Sequence, residues 1–174
     1  MLFRRSGQVA VQAALLLAIE RESKPQTVRE MVSKLGVSAA YLAKVLQALA
    51  RTGLLRSIRG PGGGFQLSRS PAEIHLWEVL DAAEHLGHLD TCLLGLGGCD
   101  GNCVCPLHKE WAPIRDQIIA LLQTRSLGDL VAAGGQNLRC RFPAGAPLLK
   151  QIRPAIPKKP VEGKNPGRNH SEES

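Results

Sequence analysis

Apolar and polar positions along the first third of the chain repeat with the period of short amphipathic helices. From Gln8 to Glu20, Val9, Ala13, Leu16 and Leu17 fall on one helical face, which predicts a first helix. Thr27-Val28-Arg29-Glu30 then has capping-box spacing: a hydroxyl and a carboxylate placed to satisfy each other's backbone amides at a helix start. Met31, Val32 and Leu35 give this second helix a buried face, and Gly36 can take the left-handed conformation that ends it. Ser38 is a suitable N-cap for a third helix, whose apolar residues Leu42, Val45, Leu46 and Leu49 are spaced i, i+3, i+4, i+7; Gly53 closes it. Two short helices joined by a tight glycine turn predict a helix-turn-helix, in which the second helix enters the DNA major groove. Away from the apolar stripe lie Ser38, Ala40, Tyr41, Lys44 and Arg51, a mixture of small, hydrogen-bonding and basic side chains suited to a nucleic acid.

The period then shortens. Leu54 to Ile58 and Gly64 to Leu67 read as strands flanking Arg59-Gly60-Pro61-Gly62-Gly63, a hairpin with a glycine-rich tip that would serve as a wing. Arg56 and Arg59 bracket the tip with cations suited to phosphates or a narrow minor groove.

Beyond the wing, Ser70-Pro71 starts a turn or a helix, and Trp77, Leu80 and Ala83 extend an apolar face to about His85. A further stripe, Trp111, Ile114, Ile118, Leu121 and Leu122, follows Pro106, which suits a first helical turn. Pro113 interrupts it and either kinks the helix or begins it anew. A stripe this long, extending beyond a small winged domain, is expected to pack against a second copy of the chain. Residues 143 to 166 hold six of the eleven prolines and little periodicity, the pattern of a disordered tail. The expected organisation is a DNA-binding domain over 1–85, a cysteine-rich loop over 86–108, a dimerisation helix region over 106–132 and a basic tail over 133–174.

Charge sharpens this picture. The net charge of +7 divides into +8 over residues 1–69 (eleven Lys/Arg, three Asp/Glu), −6 over 70–138 (three and nine) and +5 over 139–174 (eight and three). The basic first segment points to an anionic partner. Aromatic residues are only 3% of the chain, which argues against a single-strand binder that stacks bases. No apolar run approaches the roughly 18 to 20 residues of a membrane span, and Val9 to Ile19 lacks a signal-peptide cleavage site, so a cytoplasmic protein with no membrane partner is expected.

Candidate chemistry is concentrated between Cys92 and His108, where four of the five cysteines lie among glycines. Clustered thiols in a reducing compartment are more often metal ligands or redox groups than structural bridges. If Pro106 opens a helix, Cys105 and His108 stand three residues apart at its start, and Cys92 and Cys99 can reach the same point from the glycine loop. Such a set of three sulfurs and one nitrogen suits either zinc or an iron–sulfur cluster, and spacing does not separate them. Cys103 reads as a bystander able to substitute, and Cys140 is isolated from the group.

Together, S-A-A-Y-L-A-K-V-L-Q-A-L-A-R-T-G-L-L at 38–55, R-G-P-G-G-G-F at 59–65, the cysteine loop and S-L-G-D-L at 126–130 resemble the IscR/NsrR family of winged-helix transcription regulators over roughly residues 1–132. The resemblance implies a mainly α fold: a winged helix-turn-helix with a small two-stranded wing and a long dimerisation helix. It implies a homodimer on a double-stranded DNA operator, with Ser38, Ala40, Tyr41 and Lys44 toward bases or phosphates and Arg59, Pro61 and Gly62 at the wing. Cys92, Cys99 and Cys105 match the family's cluster cysteines and His108 its histidine ligand, which favours a [2Fe-2S] over a [4Fe-4S] cluster. The spacing from Cys92 to Cys99 is one residue longer than in IscR. Gln8 stands where some members carry an acidic ligand, and Ala43 where IscR has a glutamate that tunes operator choice.

The expected function is therefore a non-enzymatic DNA-binding regulator sensing redox state, nitric oxide or iron–sulfur status. The alternative within DNA binding uses zinc or thiol oxidation without a cluster. A thiol oxidoreductase built on Cys103-Val104-Cys105 ranks low, because it lacks C-x-x-C spacing and a βαβ pattern.

Overall fold

Helix α1 (Arg5–Ile19) runs through the centre of the fold in the computed structural model, which describes residues 3–20, 24–95 and 105–134. Sequence periodicity assigned α1 a single apolar face, yet Ala10, Ala14, Leu15 and Ala18 are buried beside Val9, Ala13, Leu16 and Leu17. Other elements enclose it from several sides, and a helix so enclosed is apolar nearly all round.

The helix-turn-helix forms as its local signals require. Helix α2 (Val28–Leu35) opens on a complete capping box: the Glu30 amide donates to Thr27 Oγ1 at 3.2 Å and the Thr27 amide to the Glu30 carboxylate at 2.7 Å. Gly36 ends it in the left-handed conformation, φ 64°. Helix α3 (Ala39–Arg51) follows, its N-cap Ser38 Oγ accepting from the Tyr41 amide at 3.3 Å, with Leu42, Val45, Leu46 and Leu49 buried.

Strands β1 (Leu55–Ile58) and β2 (Gly64–Leu67) pair antiparallel, with Leu55 opposite Leu67 and Ile58 opposite Gly64. A short 3-10 helix (Pro71–Glu73) leads to α4 (Leu76–Glu84), which His85 ends at φ 54°. A second 3-10 turn (Leu86–Asp90) precedes Cys92.

Helix α5 (His108–Thr124) starts two residues later than Pro106 suggested and runs unbroken through Pro113, so the proline neither begins nor ends it. Helix α6 (Leu127–Gly134) then turns back onto the core around α1, burying Leu127 completely and packing Leu130 and Val131 there. A smaller cluster of Leu80, Leu86, Leu89 and Leu122, flanked by Trp77 and Ile118, holds the 86–90 turn between α4 and α5. The α5–α6 junction is tied to the start of α4 by two backbone bonds, Leu76 N to Arg125 O at 2.9 Å and Leu127 N to Ile74 O at 2.8 Å. Among the described residues no helix is long and apolar enough to cross a membrane. Cys99, Cys103, Cys140 and nearly all of the expected tail lie outside the described residues.

Candidate nucleic-acid interface and metal centre

The outward side of α3 carries the residues expected there. Ser38, Ala40, Lys44 and Arg51 are exposed, whereas Tyr41 is half-buried and leans on the core. Ser38 and Tyr41 therefore also serve the fold, one as the N-cap and the other as packing. Ser38 to Lys44 occupy the first two turns, the end of a recognition helix that usually meets base edges; Arg51 lies roughly 10 Å further along the axis.

At the wing, Arg56, Arg59, Pro61 and Gly62 are all exposed. The glycines divide into two groups. Gly60 and Gly62 have φ of 95° and 76°, and a methyl group added at either would meet nothing within 4 Å, so the tip opens outward. Gly63 and Gly64 are small because of close neighbours: a Cβ at Gly63 would lie 2.3 Å from Ile58 O, and one at Gly64 2.5 Å from Gln26 O. The second approach reflects an attachment with no local signature in the sequence. Gln26, in the link before α2, exchanges two backbone bonds with Phe65, Gln26 N to Phe65 O at 2.9 Å and Phe65 N to Gln26 O at 2.8 Å. This bridge fixes the wing beside the helix-turn-helix.

The base of the wing is joined to α4 by a second contact. Arg69 pairs with Glu78, whose carboxylate also accepts from the His75 amide at 3.0 Å. Burial acts to raise the Glu78 pKa, but the His75 bond and the Arg69 charge outweigh it and hold the group below the usual carboxylate range. Asp129 is also held low, mainly by the Ser126 amide and also by its hydroxyl, in a reciprocal cap that starts α6. The spacings Ser70–Glu73 and Ser126–Asp129, a serine followed three residues later by a carboxylate, are capping signals legible in the sequence.

Glu84 is a further residue that sequence reading missed. It is buried at the start of α1, where it accepts from the Arg4 amide at 2.8 Å, and it fills the space that Gly7 leaves open. A carboxylate suits the positive end of a helix.

Of the expected metal ligands, the structure brings Cys92 and Cys105 together, with their Sγ atoms 3.4 Å apart. Cys92 is buried beside the 86–90 turn, and Cys105 begins the turn into α5, where the His108 amide donates to Cys105 O at 3.1 Å. His108 is the first residue of α5, three positions after Cys105, so the helix opens at His108 and not at Pro106. Two thiolates on one tetrahedral ion at about 2.3 Å would stand about 3.8 Å apart, so this pair needs only a small adjustment to share a metal. Among the described residues no group of three His, Cys, Asp or Glu side chains gathers into a metal site. One turn after His108, the Trp111 indole N–H is buried without an acceptor among the described residues, a donor available to an acceptor at this end of α5.

Known proteins are similar to this chain in sequence and in overall fold. The sequence profile of the Rrf2 family, described as iron-dependent transcriptional regulators, matches residues 3–133. ORF2 of Azotobacter vinelandii, which bears the name of a helix-turn-helix transcriptional regulator, is 40% identical over 126 residues, 72% of this chain and 76% of its own. The helix-turn-helix transcriptional regulator IscR of Cronobacter sakazakii is 34% identical over 125 residues, with the same coverage of 72% and 76%. Among solved structures, that of CymR, the global cysteine regulator of B. subtilis, is similar in fold, with a TM-score of 0.65 at 22% identity over 75% of this chain and 96% of that one.

Proposed function

Because the chain belongs to the Rrf2 family of transcriptional regulators, we propose that it binds an operator as a homodimer and that an iron–sulfur cluster, held by Cys92, Cys99, Cys105 and His108, sets its affinity. Helix α3 enters the major groove through Ser38, Ala40, Tyr41 and Lys44. The wing lays Arg59, Pro61 and Gly62 along the adjacent backbone or minor groove, with Arg56 and Arg51 as further cations.

The dimer forms along α5. Ile114 and Leu121 lie two turns apart on that helix and are 51% and 53% exposed, whereas Ile118 and Leu122 face the intramolecular cluster. A second copy supplies the apolar surface that the exposed pair lacks.

The observation that carries the sensing role is the 3.4 Å approach of the Cys92 and Cys105 thiols at the head of that helix. Thiolates with one imidazole suit iron–sulfur chemistry, and the resemblance of the loop favours [2Fe-2S]. A bound cluster would supply a centre that reacts with oxygen or nitric oxide and responds to iron scarcity. This chain's residues link that centre to DNA: Leu86 and Leu89, just before Cys92, pack on Leu80 of α4 and Leu122 of α5, while Cys105 leads directly into α5. Altered order in the ligand loop therefore bears on the helix that sets the spacing of the two α3 helices, and operator half-sites about 34 to 36 Å apart register such a change.

The test is anaerobic purification with iron and sulfide analysis and a visible spectrum. Coloured protein with matching iron and sulfide is expected. Cys92→Ala, Cys99→Ala and Cys105→Ala should each lose stable loading while the helical circular dichroism persists; His108→Ala should shift the spectrum, and Cys103→Ala should do least. Colourless, zinc-loaded protein would replace the cluster by the zinc reading. Full loading in all five variants would remove the loop as the site.

A further inference from the structure

We propose that Cys92 and Cys105 form a dithiol that hydrogen peroxide converts into a reversible disulfide in the metal-free chain. The proposal concerns the metal-free protein and stands even if the cluster reading fails. Their Sγ atoms are 3.4 Å apart, though thirteen positions separate the residues in sequence. A disulfide bond is about 2.05 Å long, so the sulfurs must approach by roughly 1.4 Å to bond. Packing fixes both residues near each other: Cys92 follows Leu86 and Leu89, both buried, and Cys105 is held in the turn whose carbonyl receives the His108 amide.

The two thiols differ in access, which assigns their roles. Cys105 is partly exposed and Cys92 is buried, 6% exposed. Cys105, as thiolate, attacks one peroxide oxygen; the O–O bond breaks, a sulfenic acid forms, and the departing hydroxide takes a proton to become water. Cys92, as thiolate, then attacks the Cys105 sulfur; the S–S bond forms, the S–O bond breaks, and the second oxygen leaves as water. The dithiol loses two electrons and two protons overall, and the peroxide gains both in becoming two waters. The product withholds two thiolates from any metal and ties the end of the 86–90 turn to the head of α5. Oxidised chain then cannot take up iron until a thiol reductant reopens the bond.

The experiment uses the full chain, reduced, metal-stripped and anaerobic, with Cys99→Ser, Cys103→Ser and Cys140→Ser so that only the pair remains. One equivalent of hydrogen peroxide should consume both thiols, lower the intact mass by about 2 Da and leave a monomeric band on a non-reducing gel, with dithiothreitol restoring the start. Adding Cys92→Ser should leave a dimedone-trappable sulfenic acid on Cys105; adding Cys105→Ser should slow the reaction at least tenfold. To guard against a folding defect in these variants, the natural five-cysteine chain is oxidised in parallel and cleaved before Asp100, which separates Cys92 and Cys99 from Cys103 and Cys105. Tandem mass spectrometry of the linked peptides should find Cys92 joined to Cys105, and the oxidised chain should bind no iron from ferrous iron and sulfide until reduced. Thiols that survive peroxide, chiefly intermolecular bonds, or a natural chain joined through Cys99 or Cys103 would overturn the proposal. Failure of reduced chain to take up iron bears on the cluster alone.

Discussion

Replacing Gly64 by alanine tests how the wing is held. The new Cβ would lie 2.5 Å from Gln26 O and 2.6 Å from its carbonyl carbon, and both are backbone atoms that cannot rotate aside. The strand must retreat by roughly 1 Å to reach ordinary carbon contact, which breaks the two Gln26–Phe65 bonds. At about 1 kcal/mol each, with about 1 kcal/mol more for holding alanine at a glycine φ, the loss is about 3 kcal/mol. For a folded region of this size that lowers Tm by about 10 °C. Gly62→Ala is the internal control. Its φ of 76° is strained for alanine but its surroundings are empty, so the cost is about 1 kcal/mol, partly offset by a stiffer unfolded chain. Thermal melts by circular dichroism give the ranking, and hydrogen exchange at the Gln26 and Phe65 amides locates the damage. If the wing tip lies on the DNA backbone as proposed, Gly62→Ala weakens binding at low temperature although its fold is intact. A Gly62→Ala loss as large as that of Gly64→Ala, or amides at Gln26 and Phe65 that stay protected in Gly64→Ala, would refute the reasoning.

Four further outcomes follow from the same geometry. Arg59→Ala should reduce the slope of log affinity against log salt by about 0.9, one released counterion, in titrations by fluorescence anisotropy, whereas Tyr41→Ala should cost more affinity on the operator than on random duplex. Ile114→Lys with Leu121→Lys should convert dimer to monomer in sedimentation velocity while the monomer melt shifts little, since both side chains point outward. Glu30, Glu78 and Asp129 all have depressed pKa values, so their stabilising effect is full above the unfolded carboxylate range and is lost as pH falls through the lower folded values. Urea midpoints should hold from pH 7 to about 5 and fall steeply below about 4, and Asp129→Ala should be the less pH-dependent protein in that window.

Sequence alone determined the elements whose bonds close within a few residues. The capping box at Thr27 and Glu30, the left-handed Gly36, the Ser38 cap and the stripe from Leu42 to Leu49 specify a helix-turn-helix because donor, acceptor and apolar face are all local. The two wing strands and their glycine tip were legible for the same reason. Tertiary structure decided which surfaces these elements share. It enclosed α1 on several sides, and it divided the α5 stripe into an inward pair, Ile118 and Leu122, and an outward pair, Ile114 and Leu121. It returned α6 to the core around α1, so close to the 71–73 turn that a Cβ at Gly128 would lie 2.9 Å from Ala72 Cα. It also set Gln26 beside Phe65 and the Cys92 sulfur beside that of Cys105. Periodicity records that a face is apolar or a loop rich in thiols, but it carries no information on which distant segment packs there. That choice belongs to the folding of the whole chain, in which burying one face against another outweighs the entropy of bringing distant segments together.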